Sequence, residues 1–464
     1  MDVPTFENNQ CLTPEGLHFE VKSAKGGMPK SFWETYSSFA NTDGGIVALG
    51  ISDTLTVTGV PDVQGTLRNL WNTLNDREKV SVNILSESSV STIDIDGMSV
   101  ILIDIPRADR RDRPVFIDGN DRNTFRRRGD GDYKCTVDEI SSMISDAISV
   151  ATDRIPVMTS DISDFNPDTV KSYRNSLRML KPNHPWNSMD DEEFLRVIGA
   201  AVRIDEELRP TLAGLLMFGQ SYLISAEVFN YHLDFRTYGS DREWKSRFTS
   251  NDGDWSGNVF DYLNKTVNLL RESVDRPFLL NDDLRRVGDS PIDLCIREAV
   301  INAIVNADYR GRSGIVTEFR PGTVTVRNPG TFRIPLSLAL EGGISDPRNQ
   351  TVASMLSLVG MVEHAGSGIH RMVCACRDAG LPDPVFEELY EPERTVTTIR
   401  IVPEGDELEM KVLSMLMDDG LASITSIAES LEVNRSTVVG AIQRLKVSGR
   451  IVRVGGNRGR WQVL

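Results

Sequence analysis

The chain has 464 residues, 25% of them charged, and a net charge of -16, so it is long enough for roughly three or four domains and too acidic to coat nucleic acid along its whole surface. No apolar run approaches the ~18 residues that cross a bilayer, and the start MDVPTFENNQ lacks the basic and apolar regions of an export signal, so a cytoplasmic protein with no membrane partner is expected. Five scattered cysteines, Cys11, Cys135, Cys295, Cys374 and Cys376, fit reduced thiols better than a disulfide framework, and Cys374 with Cys376 lacks the second pair that a zinc site needs.

In chain order, Leu17, Phe19 and Val21 alternate with His18, Glu20 and Lys22, which predicts a strand with Glu20, Lys22 and His18 on its polar face. After the turn Lys25-Gly26-Gly27, Pro29 suits a first helical position, and Phe32, Trp33, Tyr36, Phe39 and Ala40 recur at helical spacing. Asn41 to Gly45 is a turn, Ile46 to Ile51 is a buried strand, and Asp53 stands at its exit. A right-handed crossover between the two strands brings Asp53 toward Glu15 and Glu20. Three acids in one place repel one another unless a cation joins them, and an all-oxygen set suits magnesium or manganese. In that arrangement Glu20 and Asp53 hold the cation, Glu15 aligns or deprotonates the attacking group, and Lys22 contacts phosphate. The same residues also read as solvated acids of a binding fold. The whole stretch, Glu15-x-x-x-x-Glu20-x-Lys22, the aromatic helix and SFANTDGGIVALGISD, resembles the AlbA-like domain of the Schlafen family. The resemblance implies a ribonuclease site on Glu15, Glu20 and Asp53 that acts on transfer RNA-like substrates.

Between Arg107 and Lys134 seven further arginines are interleaved with aspartates. Strand alternation points Arg126 and Arg128 the same way, either as a phosphate clamp or as part of an arginine and aspartate surface network. The segment RPVFIDGNDRNTFRRRGDGDY also resembles the closing hairpin of the Schlafen-type domain, which then ends near residue 150 after a helix starting around Thr136. From 151 to 282 a connecting region follows. It has helical patterns at Pro167 to Leu180 and Asp190 to Val202, the second capped by Asn187 or Ser188, a buried strand or helix at Leu212 to Gly219, and a strand in VFNYHLDFRTYG. Trp255 to Glu272 patterns a further helix.

IREAVINAIVNADYRG, from Ile296, predicts a helix with Glu298, Asn302 and Asn306 at four-residue intervals on its polar side. Strands follow at Ile315 to Phe319 and Thr323 to Arg327, then Asn328-Pro329-Gly330, the loop Asp346 to Gln350, and Glu363-His364-Ala365-Gly366-Ser367-Gly368 leading into a helix. This order, over residues 283–403, resembles the RecG helicase C-terminal-like family, a divergent branch of the GHKL ATP-binding fold. The resemblance implies that Glu298 polarises water, that Asn302 holds magnesium on ATP, and that Gly366 and Gly368 offer N–H groups to phosphate. Asn328-Pro329-Gly330 replaces the adenine-reading Asp-x-Gly-x-Gly box, which weighs against ATP hydrolysis and leaves nucleotide binding without turnover, or a scaffold for dimerisation or docking.

From 404 to 464 the pattern is three helices and two strands, a winged helix-turn-helix. Asn434 to Leu464 contains seven Lys plus Arg and no acid, whereas Glu404 to Val433 contains eight acids and one lysine, so one face alone is prepared for phosphates. Arg435, Ser436 and Thr437 begin the recognition helix, Arg444 and Lys446 reach backbone, and Arg458 or Arg460 extends from the wing. The fold class is therefore α+β and multidomain: an AlbA-like α/β domain, a divergent Bergerat-like α/β sandwich and a winged helix. Two functions follow, a metal-dependent endoribonuclease or a DNA-binding transcriptional regulator. RNA, duplex DNA or both are the partners, and a homodimer is expected because two-fold pairing matches palindromic sites.

Overall fold

The computed structural model describes residues 4–148, 151–238, 244–273, 290–320, 322–362, 366–401, 407–447, 451–454 and 459–463. The linker 403–406, Glu363, His364, Ala365, Gly449 and Arg458 lie outside them. The chain is a mixed α and β protein that divides into two compact units, Met1–Val150 and Ala151–Leu464.

In the first unit Phe19–Lys22 (β1) and Gly45–Leu49 (β2) pair in parallel, with Glu20 opposite Val47, and Phe32–Ala40 (α1) forms the crossover. Pro29 precedes the helix, which opens at Phe32 after Ser31. Val90–Ile95 (β3) and Met98–Ile105 (β4) complete a sheet of order β1-β2-β4-β3. Phe32, Tyr36 and Phe39 of α1 pack on Val47, Leu49, Ile101 and Ile103 across one face. Phe19, Val21, Ile46, Ala48 and Leu102 form a second core on the other face. Each buried aromatic side chain contributes about 1.5–3 kcal/mol. On the face of β1 expected to be polar, Glu20 is interior and only 8% exposed, Lys22 is half-buried and His18 is exposed. A hairpin of Phe125–Arg128 (β5) and Gly131–Lys134 (β6) docks on α1 through hydroxyl groups: the Phe125 N–H donates to Ser37 Oγ at 3.0 Å and the Arg127 N–H to Thr42 Oγ1 at 3.0 Å. Val137–Ala147 (α2) follows, capped by Thr136 and Glu139 acting reciprocally.

In the second unit, Pro167–Leu180 (α3) starts on the Asn166 cap with proline in its first turn. The helix expected over Asp190 to Val202 stops at Val197; its cap is Asp190 rather than Asn187 or Ser188, and the chain turns at Gly199 into Ala201–Ile204 (β7), paired with Glu207–Pro210 (β8). Leu212–Phe218 (α4) resolves the strand-or-helix ambiguity as helix, with Thr211 accepting from the Gly214 N–H. Leu233–Tyr238 (β9), Trp244–Thr249 (β10), Ile315–Arg320 (β11), Thr323–Pro329 (β12), Val385–Tyr390 (β13) and Glu393–Arg400 (β14) form a six-stranded sheet in the order β10-β9-β11-β12-β14-β13. Val259–Ser273 (α5), Pro291–Asn306 (α6), Gln350–Leu358 (α7) and Gly368–Asp378 (α8) accompany it. The segments 151–282 and 283–403 thus share one sheet and one hydrophobic core, because β9 pairs in parallel with β11 and Phe235, Tyr262, Ile296, Val300, Val324 and Ile399 belong to the same cluster.

Residues 407–463 hold Glu407–Asp418 (α9), Ile424–Ser430 (α10), Arg435–Val447 (α11), and the hairpin Ile451–Val454 (β15) with Arg460–Val463 (β16). Val412, Ile427, Val438, Leu445, Ile451 and Trp461 give this segment a core of its own.

The β9–β11 junction depends on Gly314, where a Cβ would fall 2.1 Å from the His232 carbonyl oxygen, against backbone that has no room to move. Gly314→Ala is expected to destabilise the second unit by about 2 kcal/mol, the range for overpacking, measured by urea denaturation.

Candidate nucleic-acid interface

Glu20 is placed by β1 under α1, and both of its oxygens are engaged: Lys22 Nζ donates to Oε1 at 2.6 Å and Arg127 Nη2 to Oε2 at 2.6 Å. Arg127 comes from the inward face of β5, 1% exposed. It also donates through Nη1 to Asp132 at 3.0 Å, through Nε and Nη2 to the Gly16 carbonyl at 3.0 and 2.8 Å, and to the Phe19 carbonyl at 3.4 Å. Its guanidinium lies 5.2 Å from the centre of the Phe39 ring. Asp132 accepts in turn from Thr35 Oγ1 at 2.6 Å. Two cations and two carboxylates therefore balance in charge, Arg127 and Glu20 buried, Lys22 and Asp132 half-buried.

Glu15 is exposed and accepts from the Val21 N–H at 3.0 Å. Partial burial raises its carboxyl above the usual carboxylate range, the Val21 N–H works against this, and the Glu20 charge adds to it. Asp53 is not brought to Glu20. The chain bends at Gly50, and Ser52 to Thr56 forms a turn in which Asp53 points to solvent. The expected metal centre of Glu15, Glu20 and Asp53 is thus corrected: among the described residues no group of three His, Cys, Asp or Glu side chains is placed to hold an ion. The physical reason is charge balance, since Lys22 and Arg127 already neutralise Glu20. His18 faces the Gly44 carbonyl through Nδ1 at 3.1 Å, which requires the proton on Nδ1.

Arg126 and Arg128 do share a side, as alternation predicts, but the group they meet is Glu139, at 3.4 and 3.0 Å. Arg126 is 1% exposed and is therefore not the phosphate clamp expected of it; Arg128 keeps 30% of its side chain exposed. Burial pushes the Glu139 carboxyl up, but the Thr136 N–H and hydroxyl together with Arg126 and Arg128 outweigh it and hold the group below the usual range. Arg127, Asp132 and Glu139 were not singled out in the sequence. An arginine on the inward side of a strand needs a buried acid, and Thr136-x-x-Glu139 is a capping box, so both signals were present.

In the second unit a cavity of about 620 Å³ is lined by Glu298, Asn302, Asn328, Gly366, Gly368 and Arg371 among others. Glu298 and Asn302 are one helical turn apart on α6, and a Cβ on Gly368 would fall 3.1 Å from Glu298 Oε2 and 3.0 Å from Asn302 Nδ2, so the glycine permits this contact. The Asn302 Nδ2 is buried with no hydrogen-bond partner. Glu298, 3% exposed, faces Arg371 Nη1 at 3.1 Å. A buried amide without a partner beside Gly368 fits a bound phosphate; a glutamate charge-paired with arginine does not fit the water-polarising role expected of Glu298.

In the carboxyl-terminal segment Arg435, Ser436 and Thr437 are exposed at the start of α11. Lys446 and Arg460 are exposed as well, while Arg444 is engaged by Glu409 of α9. Arg453, which the sequence reading passed over, is exposed on β15 with its guanidinium 5.1 Å from the Trp461 ring centre.

Residues 15–136 match the family model described as Schlafen, AlbA_2, and residues 314–397 match that of the putative ATP-dependent DNA helicase RecG C-terminal family. Residues 141–234 match a domain family of unknown function, DUF8451. The chain thus carries a Schlafen AlbA-like domain and a RecG C-terminal-like domain, and these make it a nucleic-acid-related protein. Among solved structures it is similar to the DIP2311 protein from Corynebacterium diphtheriae, at 18% identity over 99% of this chain and 94% of that one, with a TM-score of 0.43. It is also similar to the N-terminal domain of a putative ATP-dependent DNA helicase RecG-related protein from Nitrosomonas europaea, at 28% identity over 27% of this chain and 87% of that one, with a TM-score of 0.21. No curated protein matches. No helix among the described residues is long and apolar enough to cross a membrane.

Arg127→Ala leaves the half-buried Asp132 without its cation and the buried Glu20 with Lys22 alone, and is expected to destabilise the first unit by about 3 kcal/mol in urea denaturation. Because the folded Glu139 value is lowered, its stabilisation is complete above the ordinary carboxylate range and is lost as pH falls through the folded value. Glu139→Gln is therefore expected to lower stability at neutral pH and to flatten the acid limb of a plot of stability against pH.

Proposed function

We propose that this protein is a duplex-DNA-binding transcriptional regulator whose carboxyl-terminal helices and hairpin act as a winged helix-turn-helix and whose AlbA-like domain is a noncatalytic nucleic-acid module. The observation that carries this reading is the acid-free run Asn434 to Leu464, which exposes Arg435, Ser436 and Thr437 at the amino end of α11 and Lys446, Arg453 and Arg460 nearby in a chain of net charge -16. In this reading α11 lies in the major groove with Arg435, Ser436 and Thr437 at base edges, while Lys446 and Arg460 meet backbone phosphates. Two-fold pairing of copies completes an operator with two half-sites.

Pairing of Glu20 with Arg127 and Lys22 weighs against the endoribonuclease reading, because a metal ion would have to compete with two cations already bonded to its oxygens. The cavity between α6, α8 and the sheet supports a sensory role: Asn302, Gly366 and Gly368 would hold the phosphates of a nucleotide such as ATP, and Glu298, paired with Arg371, would not turn it over.

Fluorescence anisotropy with labelled duplexes at increasing salt tests the reading. The intact chain is expected to bind with a steep salt dependence, and a chain ending before Glu404 is expected not to bind. Arg435→Ala should weaken binding to the preferred sequence by about 1–3 kcal/mol and relax selectivity, whereas Arg460→Ala should weaken all sequences alike and lower the salt slope by about one. Equal affinity and equal slope in the shortened chain would remove the winged helix from DNA binding.

A further inference from the structure

Cys295 of α6 and Cys376 of α8 are 81 residues apart in the chain, yet their sulfurs lie 3.1 Å apart. Both are 0% exposed. Cys374, two residues away in sequence, is exposed and faces His370 Nε2 at 3.5 Å instead. The Cys295 thiol donates to the Met372 carbonyl at 3.4 Å, and in the contact with Cys376 either sulfur can donate to the other. The contact lowers the Cys376 thiol below its ordinary value, while the same contact and burial hold the Cys295 thiol above its own, so Cys376 is the first of the two to ionise. The two helices joined by this contact are the walls of the cavity: α6 carries Glu298 and Asn302, and α8 carries Gly368 and Arg371.

We infer that Cys295 and Cys376 are a modification site, an oxidisable dithiol that closes into a disulfide with a peroxide and fastens the two cavity walls to each other. Disulfide formation needs the sulfurs to approach to about 2.05 Å, a movement of roughly 1 Å, which two packed helices supply by side-chain rotation and a small slide. Hydrogen peroxide is a two-oxygen molecule little larger than water, and a small opening between α6 and α8 would admit it from the cavity, whose lining includes Glu298 and Met372, one helical turn from Cys295 and Cys376 respectively. The Cys376 thiolate attacks one peroxide oxygen and releases hydroxide, leaving a sulfenic acid. The Cys295 sulfur then attacks Cys376 Sγ, and its proton leaves with the sulfenic oxygen as water. The hydroxide takes up the proton first lost by Cys376, so two thiols and one hydrogen peroxide yield one disulfide and two waters.

The test uses the full chain treated with hydrogen peroxide, unfolded in the presence of N-ethylmaleimide, digested and analysed by mass spectrometry. A peptide pair joined through Cys295 and Cys376, lighter by two hydrogens, abolished by dithiothreitol and equally abundant in Cys374→Ser, is the expected result. Full alkylation of Cys295 and Cys376 after peroxide treatment, overoxidation of Cys376 without a crosslink, or a crosslink that requires Cys374 would each overturn the proposal. Hydrogen exchange of the oxidised protein supplies a second reading that needs no variant: slower exchange along Gly368–Asp378 is expected, and unchanged exchange in a crosslinked sample would contradict the fastening of the cavity walls.

Discussion

The ion pair between Arg127 and Glu20 organises the amino-terminal unit. A single guanidinium, 1% exposed, ties together β1 through the Gly16 and Phe19 carbonyls and Glu20, the hairpin through Asp132, and α1 through the Phe39 ring. Taking an arginine out of water is unfavourable by several kcal/mol, and only a full set of acceptors offsets it. Here every nitrogen of the side chain has one. That requirement fixes where the β5–β6 hairpin sits against β1 and α1 and commits Glu20 to a structural task.

The same arrangement explains why a segment with the acids of a nuclease supports a binding role better. A cation site gathers carboxylate oxygens and keeps basic groups at a distance large enough not to compete. In this unit Lys22 and Arg127 take both Glu20 oxygens, Glu15 is engaged by the Val21 N–H, and Asp53 sits in a solvent-facing turn. The cavity of the second unit follows a similar logic, with Glu298 held against Arg371. In both places an acid that the family resemblances associate with chemistry is neutralised by an arginine from another element. Basic groups without nearby acids in the sequence are concentrated at the carboxyl end, from Asn434 onward.

Much of the architecture was legible because it depends on local periodicity. The alternation of Phe19 and Val21, the stripe Phe32, Tyr36, Phe39, the helix Pro167–Leu180 and the three helices with a hairpin after Glu407 all appear where the pattern puts them. Less legible were features decided by contacts distant in sequence. Alternation named a polar face on β1, but Glu20 on that face is covered, and no local pattern shows that it would meet a residue 107 positions later. Helix ends were also misread: the pattern through Val202 continues past Val197, yet Ala201–Ile204 leaves the helix to pair with Glu207–Pro210. The continuous core across 157–399 was hidden for the same reason, since β9 and β11 become neighbours only through a parallel pairing that sequence spacing does not encode.

The commitment of Glu20 to Arg127 and Lys22 is tested most directly by manganese titration of the full chain, followed by isothermal calorimetry at physiological salt, with Glu20→Gln as the comparison and circular dichroism to verify that it is folded. The account predicts the same weak, non-saturating response from both proteins. A saturable manganese site present in the wild-type chain and lost in Glu20→Gln would contradict it.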